Sequence, residues 1–318
     1  MMPENAGETL AETVRKKALE MGFAACGISK ASFLQNDAQL MDEWLSHGFQ
    51  ADMSYLERNK DKRYDPRLLV EDSRSVVSVL YNYFPSEKLV EEDNYKISKY
   101  TYGTDYHIVI KDKLQELFQF IKAIEPALSG RIFTDSAPVL DRAWAQLSGL
   151  GFIGKNTCLI HPRKGSFHFI GHLIISIPLE SNNIPVNDYC GTCTRCIDAC
   201  PTGALVAAHA LDARKCISYL TIENKLPFTE NYSLNDWIFG CDICQDVCPW
   251  NRFAEPHSEP LFMLSEEIKS MRKSDWENLT EESFSRIFKD SAVKRAKFSG
   301  LKRNIEAVRK ESKSQNVN

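Results

Sequence analysis

Eight of the ten cysteines fall into two groups: Cys190, Cys193, Cys196 and Cys200, followed by Pro201, and Cys216, Cys241, Cys244 and Cys248, followed by Pro249. In the first group two, two and three residues separate successive cysteines, the spacing that binds [4Fe–4S] clusters in two-cluster electron carriers. There the fourth cysteine of each run ligates the other cluster. The spacing therefore predicts one cluster on Cys190, Cys193, Cys196 and Cys248, and a second on Cys200, Cys216, Cys241 and Cys244, close enough to exchange electrons. Zinc fits less well, because three cysteines at successive CxxC steps with a fourth after three residues over-supply one tetrahedron. Disulfides need an oxidising compartment. The segment from Met1 to Lys17 carries acidic residues and no apolar core of a signal peptide, so the chain reads as cytoplasmic with reduced thiols.

The second run departs from a short ferredoxin, since 24 residues separate Cys216 from Cys241. That insertion mixes aromatics, charges and a proline, which predicts a helix and an exposed loop. Cys26 and Cys158 lie in the apolar contexts FAACGIS and NTCLI and read as packing residues.

A chain of 318 residues exceeds one ordinary core, so two or three domains are expected. The composition, 43% hydrophobic and 26% charged, is that of a globular protein. The longest apolar stretch, Phe167 to Leu179, is too short to cross a bilayer.

In the first 180 residues helix and strand signals alternate, the pattern of an α/β domain. Leu10, Val14, Ala18 and Met21 recur at helical spacing and stop at Gly22. Leu40, Met41, Trp44 and Leu45 stop at Gly48. Ser75 to Phe84 and Arg131 to Asp135 read as strands, with a long helix through Leu114, Leu117, Phe118 and Ile121 between them. A helix from Pro138 to Leu150 is expected next, then a hairpin of TCLI and FHFIGHLIISI turning through Pro162 to Gly165. No complete Walker loop, with Ser or Thr after its lysine, is present in these residues. Asp135 or Ser136 stands where it would cap the helix expected near Pro138.

The charge changes sign at the C-terminal end. The chain as a whole carries −4, but Lys289 to Asn318 holds nine Lys or Arg against three Asp or Glu. Clustered cations supply the sequence-independent part of nucleic-acid affinity. A solvated helix with a frayed tail has the same composition.

Taken in order, YLERNKDKR around Arg58, KISKYTYGTDYH, FTDSAPVLDRAWAQLSGLGFIGKNTCLI, CGTCTRCIDACPTGAL and CDICQDVCPWN resemble the epoxyqueuosine reductases over residues from about 8 to 305. The resemblance implies reduction of epoxyqueuosine to queuosine in tRNA by an iron–sulfur and cobalamin enzyme. It implies an α+β or α/β fold, with residues 1–180 as the cobalamin-binding and catalytic domain and 181–255 as a ferredoxin-like domain. Residues 256–318 form a helical basic segment, and the chain resembles a short form lacking most of the family's C-terminal helical repeats. By the same resemblance Asp135 is the proton donor. Arg58, Gly154, Lys155, Asn156, Thr157, Asp242 and Ile243 are the expected cobalamin contacts; an ordinary surface charge is the plain alternative for Arg58 and Lys155. The cobalamin is expected base-off, since the histidine-ligand motif begins at Asp105 and His107 but has Ile110 where it needs glycine. Losing an axial donor eases reduction of cobalt by a low-potential cluster. Partners implied are the tRNA anticodon loop, gripped through Lys294, Arg295, Lys297, Lys302 and Arg303, and an external electron donor of flavodoxin or ferredoxin type. The protein is expected to act as a monomer. Two other readings remain open: an electron carrier without its own substrate, and a corrinoid reductase of a small molecule such as an organohalide.

Overall fold

The structure, a computed structural model, describes residues 8–181, 184, 186–228 and 233–315. Residues 229–232 of the predicted insertion loop and the last three residues of the basic segment lie outside the described residues.

Thr9 and Glu12 form a capping box that starts the helix Leu10–Glu20, and Gly22 takes φ +89° just beyond its end. The expected helix ending near Gly48 is Gln35–Ser46. Four strands make the central sheet in the order Ala25–Lys30, Ser75–Asn82, His168–Ile175, Gly130–Phe133. Every pairing in it is antiparallel. Of the two classes expected, the sheet is therefore α+β. Helical periodicity reports which face of a helix is buried, not the direction in which the next strand runs.

The strand Ser75–Asn82 is buried at every position but its last, because both faces of the sheet are covered. Val77, Val79 and Tyr81 pack under the helices Leu10–Glu20 and Tyr106–Ile124. Val76 faces the opposite side with Ile174 and Trp144 of the helix Asp141–Leu147. That helix starts later and ends sooner than expected, at Asp141 and Leu147. Pro138 does not open it, since the backbone through Val139 and Leu140 stays irregular.

The expected hairpin is also corrected. Leu159–Ile160 pairs with Phe152–Ile153, while His168–Ile175 goes to the centre of the main sheet. The turn itself exists, closed by a bridge between His161 and Gly165. It presses on the second cysteine run: a Cβ added at Gly165 would sit 2.2 Å from Asn251 Oδ1, and its φ is +74°.

A separate core joins Tyr95 and Ile97 to Ile217 and Phe239 of the insertion and to Trp276, Leu301 and Ile305 of the C-terminal helices. The insertion supplies the helix Ile217–Ile222 and the strand Trp237–Phe239, which pairs parallel with Lys96–Ile97. The helix Lys297–Gln315 closes this core. Arg303 reaches from it to three insertion carbonyls, those of Asn224 (2.7 Å), Leu226 (2.9 Å) and Leu220 (3.1 Å). Among the described residues no helix is long and apolar enough to cross a membrane.

One buried ion pair fastens the cysteine region to the rest. The Lys99 side chain is 5% exposed and lies 3.3 Å from Asp242, which is 2% exposed, and 2.7 Å from Asp246. Ser98 Oγ and the Lys99 backbone N–H also donate to Asp242. Burial opposes the charge on Lys99, but the two carboxylates outweigh it and its pKa goes up. Burial pushes the Asp242 carboxyl up, while Lys99 and these donors pull it back. The geometry, with Asp246 completing the neutralisation, is that of an ionised group held by three partners. Removing one member strands a buried charge, so Lys99→Met is expected to cost about 3–5 kcal/mol in anaerobic urea unfolding. Lys99→Met combined with Asp242→Leu should regain part of that loss; a double variant as unstable as the single one would contradict the pairing.

Candidate functional site

Asp135 follows the edge strand Gly130–Phe133 and holds a left-handed backbone, φ +49°. The helix Asp141–Leu147 has Leu140 at its N-cap with no side-chain bond, so neither Asp135 nor Ser136 caps it. The Asp135 carboxylate instead accepts from Tyr106 Oη at 2.5 Å and lies 4.0 Å from His107 Nε2. The other ring nitrogen, Nδ1, is 2.8 Å from Asp105. Asp105 itself caps the helix Tyr106–Ile124 by accepting from the His107 backbone N–H. With Asp105 taking the Nδ1 proton, Nε2 is the atom turned toward Asp135. Tyr106 is fixed by stacking on Phe169, ring centroids 4.3 Å apart and planes 7° apart.

Burial pushes the Asp135 carboxyl up, and the like charge of Asp141 pushes it further; Tyr106, His107 and Arg295 pull it down but do not prevail. Asp141 sits at the start of its helix, 3.3 Å from Nε2 of the fully buried His172. Ser78 bonds the other His172 nitrogen at 3.0 Å and takes a hydrogen bond from Ser148 at 2.9 Å.

Asp135 keeps 67% of its side-chain surface accessible, yet desolvation is the leading influence on its carboxyl. A group both accessible and desolvated lines a recess. Tyr100, Cys158 and Cys244 share that combination, being partly accessible although burial acts strongly on each. Tyr100 feels the charges of both Asp135 and Asp242, so it stands between the acid and the second cysteine run. Arg63, 7% exposed, donates to the Tyr55 carbonyl at 3.3 Å, while its Nε has no partner among the described residues. A buried donor without an acceptor is a cost that a bound polar group removes. These observations fit a large group with an apolar face and a polar edge.

Cys190 and Cys196 feel Cys248, which in turn feels Cys193. Cys216 and Cys241 feel Cys200, and Cys244 feels Cys216 and Cys241. Burial pushes the Cys190 thiol up to about 11 and that of Cys241 up to about 12, so their thiolates call for a bound cation. Cys158 lies against Cys244 as a hydrogen-bonding thiol, a placement that its apolar flanks concealed.

The turn Gly154 to Thr157 rests on both cysteine runs. The Lys155 backbone N–H points to Cys190 Sγ at 3.4 Å, Lys155 Nζ bonds the carbonyls of Gly191 (2.6 Å) and Cys193 (3.0 Å), and Asn156 Nδ2 bonds that of Cys244 (3.2 Å). Gly154 and Thr157 close the turn, Thr157 with φ +64° and its carbonyl on Arg142. Asp242 is consumed by Lys99, and Ile243 packs into the C-terminal core. Arg58 is exposed. Tyr106, His107, Asp141, His172 and Arg63 were not singled out from sequence as site groups. Asp105 and His107 were considered only as a failed cobalt-ligand motif, and the DRA segment after Pro138 only as helix.

Residues 189–251 match the family model of a 4Fe-4S double cluster binding domain, and with the acid-lined recess this defines an iron–sulfur oxidoreductase. Residues 63–136 match the model described as epoxyqueuosine reductase QueG, DUF1730. The chain is 50% identical to the epoxyqueuosine reductase of Cellulophaga algicola, covering 96% of this chain and 100% of that one. It is 51% identical to that of Leadbetterella byssophila, over 93% of this chain and 97% of the relative. A crystal structure of epoxyqueuosine reductase with a tRNA-Tyr epoxyqueuosine-modified tRNA stem loop superposes with TM-score 0.86 at 29% identity, over 94% of this chain and 80% of the other. A Bacillus subtilis epoxyqueuosine reductase, solved with its catalytic aspartate loop swung out of the active site, gives TM-score 0.85 at 28% identity, over the same shares. The chain belongs to the epoxyqueuosine reductase family.

The cysteine grouping has a direct check in iron content. Cys248→Ala is expected to lose one cluster, about four of about eight irons. Cys158→Ala should keep all of them; loss of iron there would make Cys158 a ligand.

Proposed function

We propose that this protein reduces epoxyqueuosine to queuosine in tRNA, with Asp135 as proton donor, two [4Fe–4S] clusters as the electron path and base-off cobalamin in the recess. The observation that carries this reading is Asp135 itself: accessible, raised in pKa, and held by Tyr106 and His107 on the wall of a recess that reaches the cysteine region. Cys190, Cys193, Cys196 and Cys248 hold one cluster and Cys200, Cys216, Cys241 and Cys244 the other. Arg63, with its free Nε, and the Gly154 to Thr157 turn hold the corrinoid's edge, and Ile243 backs it from the cluster side. When bound, the corrinoid supplies electrons at low potential.

Turning an epoxide into an alkene takes two electrons and two protons and releases water. Asp135 gives its proton to the epoxide oxygen as the C–O bond opens, and Tyr106 keeps the carboxyl aimed at it. His107, its Nδ1–H held by Asp105, can take a proton from solvent at Nε2 and pass it to Asp135 for the second transfer. Asp141, whose carboxylate lies 3.3 Å from the buried His172, keeps a like charge near Asp135 and so favours its protonated form. The tRNA arrives over a positive rim: Lys294, Arg295 and Lys297 are exposed, whereas Lys302 and Arg303 spend their donors on carbonyls of Glu277 and the insertion. Arg295 is shared with Glu223 at 3.0 Å. A single-stranded loop suits such a site, because its bases can splay into a recess.

Asp135→Asn is expected to lower single-turnover reduction about 10²- to 10⁴-fold, with iron and corrinoid content unchanged. Wild-type turnover in that variant would remove Asp135 from the mechanism. The donor form of Asp135 exists below its raised pKa and is lost as pH rises through it, so the rate falls toward alkaline pH. Asp141→Asn removes the like charge, lowers the Asp135 pKa and moves that falling limb to lower pH. A limb that stays in place would show that Asp141 does not act on Asp135.

A further inference from the structure

Away from the recess, a groove of about 350 Å³ has Cys248 and Pro249 in its wall. Lys88, Arg195 and Arg252 line it against a single carboxylate, Asp246. All three cations are exposed, and none of them forms an ion pair among the described residues. Asp246 is already bound to Lys99 at 2.7 Å. Arg252 stacks its guanidinium on Phe253, 4.4 Å from the ring centroid, which holds its charge in place. The fold makes no use of these charges, yet they converge where a cysteine of one set comes to the surface. That set, Cys190, Cys193, Cys196 and Cys248, is the one without the recess-lining Cys244. The charged and titratable groups that act on Asp135 (Tyr106, His107, Asp141 and Arg295) include none of the groove's residues.

We propose that this groove is the docking surface for an acidic electron-carrier protein, a reduced low-potential flavin or iron–sulfur carrier, which passes electrons to the cluster on Cys248. The inference rests on the cluster assignment made under Proposed function. Each encounter moves one electron: the carrier is oxidised by one unit and the cluster reduced by one, and two encounters supply one epoxide. Positive charge around the entry point raises the rate of encounter with an acidic partner and orients it toward the cluster. Nucleic acid would also be attracted, but the exposed cation that acts on Asp135 is Arg295, which does not line the groove.

The test uses the cluster- and corrinoid-loaded protein, wild type and Lys88→Glu/Arg252→Glu, with an acidic bacterial flavodoxin and an acidic ferredoxin as probes. Carrier affinity is read by fluorescence anisotropy, and cluster reduction by stopped flow with reduced carrier or with dithionite. The double reversal is expected to weaken carrier binding and slow carrier-driven reduction at least about tenfold at low ionic strength, the difference shrinking as salt screens the charges. Dithionite reduction, iron content and affinity for an anticodon stem-loop should not change. Lys88→Gln/Arg252→Gln gives a smaller loss in the same direction and serves if the reversal does not fold. Unchanged carrier affinity, a wild type that binds neither carrier, or a loss confined to the stem-loop overturns the proposal; the last outcome makes the groove an RNA contact. If the wider functional reading fails instead, the wild type is inactive with dithionite while carrier binding still follows the charges.

Discussion

A lysine in an almost dry position ties this molecule together. Lys99 comes from the segment that follows the strand Lys96–Ile97, and its ammonium is closed in by Asp242 and Asp246 of the second cysteine run. A charge so buried is tolerated only with full compensation. The compensation fixes where Asp242 stands, and with it Cys241 and Cys244 on either side. Gly240 lets the chain enter this position: its φ is +69°, and a Cβ there would lie 2.5 Å from that of Ser98. The distance from the cysteine region to the Asp135 recess, and the place of Tyr100 between them, follow from this attachment.

Much of the chemistry was legible in the chain because it is written locally. The cysteine spacing is a short-range pattern, and residues 189–251 match the model of a 4Fe-4S double cluster binding domain. The helices ending at Gly22 and Gly48 were legible for the same reason, as was the strand Ser75–Asn82. Strand direction was not. His168–Ile175 looked like half of a hairpin because a turn precedes it, but its residues are apolar on both faces and belong in the middle of a sheet.

The surroundings of Asp135 show where local reading stops. Tyr106 and His107 are about thirty residues upstream of it, and His172 is almost forty downstream. Their convergence depends on the edge strand Gly130–Phe133 lying beside His168–Ile175 and on the helix Tyr106–Ile124 crossing the same sheet. Asp105 could be read as a helix cap and His107 as a failed ligand motif; only their spatial relation to Asp135 gives them a further role. Lys155 and Asn156 were expected at a cofactor edge, and in the structure they bond the backbone of both cysteine runs. Charge counts likewise could not distinguish Lys294 and Lys297, which face solvent, from Arg303, which is consumed inside.

The grip of Arg303 on the insertion bears on the order in which the protein matures. Cys216 opens the helix Ile217–Ile222, and that helix finds its core only against residues such as Leu301 and Ile305 of the last helix. On a ribosome the first cysteine run and most of the sheet emerge long before those residues do. The core that seats the helix after Cys216 therefore cannot close until residues about eighty positions later have been made. A chain cut before Leu301 would carry every cysteine and yet lack the surface against which the helix after Cys216 packs.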